Sequence, residues 1–231
     1  MRNFELEKER RIEMWAIRAV IVLFVIFVAA LLITAWILCE GMTTSHALYK
    51  NEDFGIPTYR SMTDSDKDGV DDQTDLLEGA RAYIATKPKY KSVYYAGGYP
   101  TDGYGVCTDV VAQGFLYAGY DLMELVSEDI ALAPQAYSIE KPDPNIDFRR
   151  VRNLKVFFDR NAISLTTDTR AIEEWQGGDI VIYKSSHIGI VSDVRNKDGV
   201  CLLIHHGWVG QREYEQDCLD YDEIIGHYRF R

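Results

Sequence analysis

Positively charged residues are scarce in this 231-residue chain. It has 25 lysine and arginine residues against 36 aspartate and glutamate residues, which gives a formal net charge of -11. Proteins that bind nucleic acids gather lysine and arginine into clusters that contact phosphates. The sequence assembles no such cluster, so we exclude nucleic acid as a partner and favour metal cations or cationic molecules.

Cysteine and proline are also few, with four and six residues. The cysteines are scattered and form no CxxC pair, which excludes a disulfide scaffold and argues against zinc or thioredoxin chemistry. A hydrophobic fraction of 47% excludes a disordered chain. Beyond an anchor and a linker, the length suffices for one globular domain with a single core. The thiols available to it are Cys39, Cys107, Cys201 and Cys218.

One long hydrophobic run lies near the N-terminus. Residues 19–38 read AVIVLFVIFVAALLITAWIL, in which only Thr34 is polar. This length matches the helix needed to cross a hydrocarbon core of about 30 Å. The run therefore predicts a transmembrane helix. A buried core helix is the alternative, but such helices are rarely apolar on every face for so long.

The flanking charges predict the orientation of this helix. Five basic residues precede the run, whereas Lys50 is the single one in the first twenty residues after it. Because cytoplasmic flanks carry the excess of lysine and arginine, residues 1–18 are expected in the cytoplasm and the remainder outside. The run is longer than a signal-peptide core, and no small-x-small cleavage site follows Leu38. We predict an uncleaved signal anchor over 19–38, with removal by a signal peptidase as the alternative.

Residues 39–63 mix polar residues, glycine and proline without a clear period, which predicts an extracytoplasmic tether. An acidic loop, DSDKDGVDDQTD, follows at residues 64–75. Its carboxylates stand at alternate positions, and Gly69 permits the sharp turn that brings such ligands to one point. The loop resembles calcium-binding loops of the EF-hand, dockerin and thrombospondin type 3 kind, and like the latter two it ends in aspartate. The predicted ligands are Asp64, Asp66, Asp68, the carbonyl of Val70, Asp72 and Asp75.

We expect this loop to hold one Ca²⁺ with a structural role. An external domain meets millimolar calcium, so even a weak site would be filled. The alternative is a solvated acidic turn that caps the helix starting near Gln73, because acidic side chains favour helix N-termini.

A helix beginning at or near Cys107 is predicted by the segment CTDVVAQGFLYAGY. Its apolar residues Val111, Phe115, Ala118 and Leu122 fall on one helical face. A thiol at a helix N-terminus has its pKa lowered by unpaired backbone N–H groups and the helix dipole. This position suits a nucleophile. The alternative is a buried free cysteine, which is common in protein interiors.

Downstream, a glycine turn and short apolar runs predict a strand at residues 180–183, a second strand starting at His187, and a third in CLLIHHGWV. The last two would be antiparallel neighbours, so a histidine starting one and a histidine ending the next can meet. This pattern permits a nucleophile, a base and a base-orienting group in the order cysteine, histidine, histidine.

The motifs GGDIV, HIGIV and LIHH resemble those of the NlpC-type papain-like cysteine peptidase superfamily, whose members break peptide or amide bonds in bacterial cell walls. A closer resemblance is to a related bacterial family, domain of unknown function 1287. It rests on GVCTDVV, DLMELVSEDI, DPNIDFRRVRNL, GGDIV, HIGIVSD and GHYR, spread over residues 76 to 229. The family's name records that its substrate is not established.

The resemblance implies a role for each matching position. Cys107 matches the superfamily nucleophile, His187 its general base, and His205 the third polar residue, which would orient the imidazole of His187. His206 points to the opposite face of its strand and is the alternative orienting residue. The oxyanion hole stays unassigned, because sequence cannot locate its N–H groups.

Other polar residues admit two interpretations. Arg149 and Arg150 could hold a substrate carboxylate or pair with nearby aspartates to stiffen a loop, and we favour the structural interpretation. Asp109 is interpreted as a cap of the Cys107 helix, and Asp179 as a turn residue. A disulfide between the last two cysteines is left open.

We therefore predict an α+β fold: a papain-like, NlpC-type domain over residues 76–231, with N-terminal helices and a small antiparallel sheet, preceded by one transmembrane helix. The expected function is thiol-dependent hydrolysis of a peptide or amide bond, most simply in peptidoglycan outside the cell membrane. Two rivals remain. One is a noncatalytic, calcium-stabilised module that binds the cell wall, and the other is an acyltransferase that uses the same thiol.

Overall fold

The structure is a computed structural model that describes residues 2–40 and 48–230. It divides into two units, Met1–Thr43 and Thr44–Arg231. In the first unit, helix α1 (Arg2–Glu40) contains a segment, Ile17–Thr34, that is long and apolar enough to cross a membrane. Thr34 donates its hydroxyl hydrogen to the carbonyl of Ala30, so its one polar group is satisfied inside the helix. This apolar helix fits a membrane anchor or a signal sequence.

The second unit begins with helices and ends with strands. Its first helix is capped by Asp71, whose side chain accepts the N–H of Thr74, and two later helices are capped in the same way by Asp121 and Asp143. The helices are α2 (Asp72–Ala85), α3 (Cys107–Tyr117), α4 (Leu122–Leu132), α5 (Pro134–Tyr137), α6 (Pro144–Asp147) and α7 (Val151–Asn161).

The strands form one main sheet and one small pair. Strands β1 (Lys89–Tyr90) and β2 (Tyr104–Gly105) are a short parallel pair in the glycine- and tyrosine-rich segment before α3. The main sheet is antiparallel throughout, in the order β3-β8-β4-β5-β6-β7. Its strands are β3 (Ile163–Ser164), β4 (Ile180–Tyr183), β5 (His187–Arg195), β6 (Cys201–Ile204), β7 (Glu215–Gln216) and β8 (Ile224–Arg229).

Both faces of the sheet are buried, which explains why β4 reads as a continuous apolar run. Ile180 and Ile182 pack in the larger cluster, with α2, α3 and α7. Val181 and Tyr183 point the other way, into a smaller cluster around Trp175. The observed architecture is a mixed α+β fold with an antiparallel sheet, and this part of the fold prediction is confirmed.

Helices α2 and α3 approach closely because glycines line their contact. A Cβ on Gly79 would lie 2.3 Å from the Cβ of Tyr117, and one on Gly114 would lie 2.8 Å from the carbonyl oxygen of Leu76. The apolar face predicted for the Cys107 helix does not continue to Leu122. Helix α3 ends at Tyr117, and Gly119 adopts a φ of 81°. Leu122, predicted on the same face, instead begins α4.

The structure differs from the predicted tether. Tyr49 forms a β-bridge with Arg195, and the amide of Asn51 donates to Gln176 in the interior. Asn51 in turn accepts a hydrogen bond from Arg195, whose side chain is fully buried. This part of residues 39–63 therefore belongs to the folded unit, because it satisfies polar groups that burial would otherwise leave unpaired. Residues 41–47 of the predicted tether lie outside the described residues.

Candidate active site

Cys107 is the first residue of α3 and lines a cleft of about 300 Å³ that Tyr90, Arg150 and Arg152 also border. The N-terminus of the helix is fixed by Asp109, whose carboxylate accepts the backbone N–H of Val106 at 2.8 Å. The side chain of Cys107 is half-buried, whereas Asp109 is fully buried. The thiol thus lies at the floor of a cleft, on a helix end that cannot easily shift.

Two effects oppose each other at this thiol. Backbone N–H groups, among them those of Ile188 and Thr108, hydrogen-bond to the sulfur and lower its pKa. Burial is the larger effect and raises the pKa of Cys107 to about 11. The expectation of a lowered thiol pKa at this helix end is therefore wrong for the substrate-free protein. A thiol with this pKa is neutral near pH 7 and needs a base to remove its proton.

A histidine lies next to that thiol because of a tight turn. Strand β4 is joined to β5 by three residues, the last of which, Ser186, has a φ of 63°. His187 follows as the first residue of β5, paired with Tyr183. The hydrogen bond from the N–H of Ile188 to the sulfur of Cys107 joins the start of this strand to the start of α3. The strand that begins with the candidate base therefore contacts the candidate nucleophile through its backbone.

His187 and His205 are brought together, with 2.9 Å between Nε2 of His187 and Nδ1 of His205. Nε2 of His205 lies 2.8 Å from Oε1 of Gln216. Burial lowers the pKa of His187 to about 3 and that of His205 to about 4, so both rings are neutral near pH 7. A chain of three side chains, His187, His205 and Gln216, thus runs from the cleft into the interior.

The contacts of Gln211 indicate which atoms donate and which accept in these hydrogen bonds. Its Nε2 donates to the carbonyl oxygens of His205 and Glu213, which identifies that atom as the amide nitrogen. The same Nε2 lies 3.4 Å from the Gln216 atom that faces His205, which agrees with the assignment of that atom as Oε1. His205 must then carry its hydrogen on Nε2 and accept through Nδ1.

The tautomer of the first histidine is fixed in consequence. His187 donates from Nε2 to His205, and its Nδ1 keeps an unprotonated lone pair. Within residues 48–230 no other group hydrogen-bonds to the ring of His187. Nδ1 can therefore accept a proton, which is what a general base requires. Gln216 was missed at the sequence level, because nothing local distinguishes a glutamine on a two-residue strand.

His206, the alternative orienting residue, lies elsewhere. Its ring packs edge-on against Tyr90 and Tyr214, at centroid distances of 5.3 and 5.1 Å. It lines a second cleft of about 360 Å³ with Trp208 and Val209. The structure therefore gives His205, not His206, the contact with His187. Tyr90 borders both clefts, which makes them neighbours on one surface.

The paired arginines have different environments. Arg149 is buried and grips Asp109 with two hydrogen bonds of 2.7 and 2.9 Å, while its Nη1 donates to the carbonyl of Val93. Arg150 is half-exposed, with only a 3.4 Å contact to Asp147. The structural interpretation fits Arg149, whereas Arg150 and its neighbour Arg152 face the cleft beside Cys107.

Asp179 is more than a turn residue. It is fully buried and accepts hydrogen bonds from Gln73, the backbone N–H of Gln176, His227 and Arg229. The ring of His227 stacks on Trp175, with centroids 3.7 Å apart. The GGD and GHYR motifs therefore meet in a buried polar network that joins α2, β4 and β8, away from the cysteine.

The acidic loop divides into groups with different partners. Asp64, Asp66 and Asp68 are exposed and present carboxylate oxygens within 4.8 Å of one another. Asp72 is not part of this group and accepts hydrogen bonds from Ser65 and Tyr120. Asp75 is 1% exposed, and neither of its oxygens has a hydrogen-bond partner. These hydrogen bonds give Asp72 a structural role in this geometry, and its role as a ligand stays a prediction.

Cys201 and Cys218 are free, buried thiols in this structure. Burial raises the pKa of each to about 12. Cys218 also lies 3.6 Å from Nε2 of His205, at the inner end of the histidine chain. The side chain of Cys39, at the end of α1, lies outside the described residues.

Comparisons with known proteins agree with the extent of this folded unit. The family described as Domain of unknown function (DUF1287) matches residues 77–230. The chain is also similar to the uncharacterized protein YijF of Escherichia coli (strain K12), with 36% identity over 167 residues that cover 67% of this chain and 80% of that protein. No solved structure matches it. The family match spans well over half of the protein and includes Cys107, His187 and His205. The protein therefore belongs to the domain of unknown function 1287 family.

Proposed function

We propose that this protein is a thiol hydrolase of the papain-like, NlpC type that cleaves a peptide or amide bond. The observation that carries the proposal is the hydrogen-bond chain from Gln216 through His205 to His187. It leaves a neutral imidazole with its lone pair on Nδ1. The next residue of the same strand, Ile188, donates its backbone N–H to the sulfur of Cys107. A nucleophile, a base and a group that orients the base are the parts that acyl transfer requires.

The proposed reaction proceeds in two steps. Nδ1 of His187 takes the proton from the thiol of Cys107 as the sulfur attacks the carbonyl carbon of the substrate. The carbon–nitrogen bond then breaks, and His187 returns that proton to the departing amine, which leaves a thioester on Cys107. His187 next takes a proton from water, the hydroxide attacks the thioester, and the acid product leaves as the thiol regains its proton.

The two histidines have separate duties in this scheme. His205 is a positioning residue, because it acts on the substrate only through His187. Its Nδ1 accepts the Nε2 hydrogen of His187, which holds the ring and stabilises the positive charge that develops on it.

Peptidoglycan outside the cell membrane is the substrate we propose. An apolar helix preceded by five basic residues supports a single-pass anchor with a cytoplasmic N-terminus. Arg150 and Arg152, which border the cleft, favour a substrate with carboxylate groups, and peptides of the cell wall carry them. An anchored domain would act on the layer of the wall nearest the membrane.

The test uses the full-length protein in detergent with purified bacterial peptidoglycan, and mass spectrometry detects released fragments. Cys107→Ala should lower fragment release by roughly 10,000-fold or more. Cys201→Ala is the matched control, because it also removes a cysteine, but from the smaller buried cluster around Trp175. His205→Asn, which keeps an acceptor for His187, should retain more activity than His205→Phe, which has none.

The rival functions give different results in the same assay. Fragments that carry an added amine, when a primary amine is supplied, would identify an acyltransferase. Sedimentation with peptidoglycan but no cleavage by the wild type would identify a binding module. Equal fragment release from the wild type and Cys107→Ala would refute the thiol mechanism.

A further inference from the structure

We propose that residues 64–75 bind one calcium ion through Asp64, Asp66, Asp68, the carbonyl of Val70 and Asp75, and that this ion fastens the loop to the end of α3. The inference does not depend on the hydrolase activity. Asp72 is left out of the proposed ligand set because its carboxylate accepts hydrogen bonds from Ser65 and Tyr120.

Three carboxylates already converge without an ion. Asp64, Asp66 and Asp68 bring oxygens within 4.8 Å of one another although all three are exposed. Like charges at this spacing repel each other, so the side chains would separate in solvent unless the backbone held them. The backbone does so: the N–H groups of Asp68 and Gly69 both donate to Asp64. A divalent cation would remove the repulsion.

The second observation is the state of Asp75. It is 1% exposed, both carboxylate oxygens lack a hydrogen-bond partner, and its closest charged neighbours are Asp68 and Asp66. A buried carboxylate without a partner is strongly destabilising, so native proteins pair such groups or use them to coordinate metals. No cation of residues 48–230 pairs with this one. Asp75 therefore lies within electrostatic reach of Asp66 and Asp68, and a cation bound among these carboxylates would supply its missing partner.

Asp75 stands outside the 4.8 Å group that the first three carboxylates form. Aspartate is one methylene shorter than the glutamate that closes an EF-hand loop, so its carboxylate reaches less far toward the ion. Binding would require a small closure of the loop onto α2, whose first turn carries Asp75. Calcium tolerates this, since it accepts six to eight oxygens in flexible geometry, whereas magnesium demands a near-ideal octahedron.

Asp72 explains how the loop could influence the rest of the fold. Its carboxylate accepts hydrogen bonds from the hydroxyl groups of Tyr120 and Ser65. Gly119 packs against the loop so closely that a Cβ there would lie 2.9 Å from the Cβ of Asp66. Residues 119 and 120 directly follow α3, the helix that begins at Cys107. Closing the loop would therefore stabilise the α2–α3 pair from the end opposite the cysteine.

The experiment measures the binding of calcium alone to the full-length protein in detergent, after removal of metals by a chelator. Calorimetry gives the dissociation constant, and thermal unfolding gives the stabilisation. Asp68→Asn and Asp75→Asn should each raise the dissociation constant by at least about tenfold. Glu128→Gln is the control, because it removes an exposed carboxylate from a different helix, α4, and should leave binding unchanged.

The unfolding temperatures separate a lost ligand from a lost fold. Without metal, Asp75→Asn should unfold at a higher temperature than the wild type, because it removes a buried, unpaired charge. With calcium the order should reverse, since the wild type binds the ion more tightly and gains more stability from it. The proposal is overturned by absence of binding at millimolar calcium, by equal stabilisation with magnesium, or by unchanged affinity in Asp75→Asn.

Discussion

Replacing Arg149 by methionine tests the buried ion pair that holds the N-terminus of α3. The side chains of Arg149 and Asp109 are 2% and 1% exposed, so the change leaves a buried carboxylate without its partner. Breaking such a pair costs about 3–5 kcal/mol. For a domain of this size the unfolding temperature should fall by about 6–20 °C.

The assay is thermal unfolding of the full-length protein in detergent, followed by the fluorescence of tryptophan, because Trp175 is buried in the folded unit. Arg150→Met is the matched control, since its neighbouring guanidinium is half-exposed, and its loss should cost no more than about 1 kcal/mol. Adding Asp109→Asn to Arg149→Met removes the stranded charge but keeps an oxygen for the N–H of Val106, so it should recover stability.

The reasoning behind this prediction fails on either of two results. If Arg149→Met and Arg150→Met lose the same stability, burial does not strengthen the pair. If the stability losses of Arg149→Met alone and Asp109→Asn alone add up in the double variant, Arg149 and Asp109 do not interact energetically.

Two further predictions concern thiol reactivity and pH. Iodoacetamide should modify Cys107 before the buried Cys201 and Cys218. The rate of modification of Cys107 should rise about tenfold per pH unit from pH 7 to 9, because burial raises the pKa of this thiol to about 11. A rate that does not change over this range would contradict a neutral thiol. The unfolding temperature should fall between pH 6.5 and 4, because burial lowers the pKa of His206 from 6.5 to about 4 and only the unfolded chain takes up the proton there. His206→Phe should make this fall shallower by about one proton, and an unchanged slope would refute the assignment.

The local elements were predictable from the sequence because each depends on neighbours along the chain. The apolar run near the N-terminus, the helix that begins at Cys107, and the strand that begins at His187 all follow from period and composition. The spacing of the acidic loop likewise follows from the order of its residues. The sequence of β4 did not show which of its residues face which side of the sheet, because both faces are covered and every residue of the strand is apolar.

Partners that are distant in sequence could not be assigned in that way. Gln216, which orients His205, lies on a two-residue strand reached through a long loop. Asp179 reads as a turn residue, yet it joins three separate elements of the interior. The segment around Asn51 reads as a linker, yet its amide pairs with buried side chains more than 120 residues away in sequence.

The sequence by itself determined the order of the parts: an apolar N-terminal helix, an acidic loop, a cysteine at a helix start, and histidines on neighbouring strands. Only the tertiary structure decided which histidine contacts His187, that Asp72 accepts a hydrogen bond from Tyr120, and that burial outweighs the helix N-terminus at Cys107. The physical reason is that burial and hydrogen-bond direction are properties of the assembled fold. A residue's own neighbours fix its position along an element, but not which distant groups surround it.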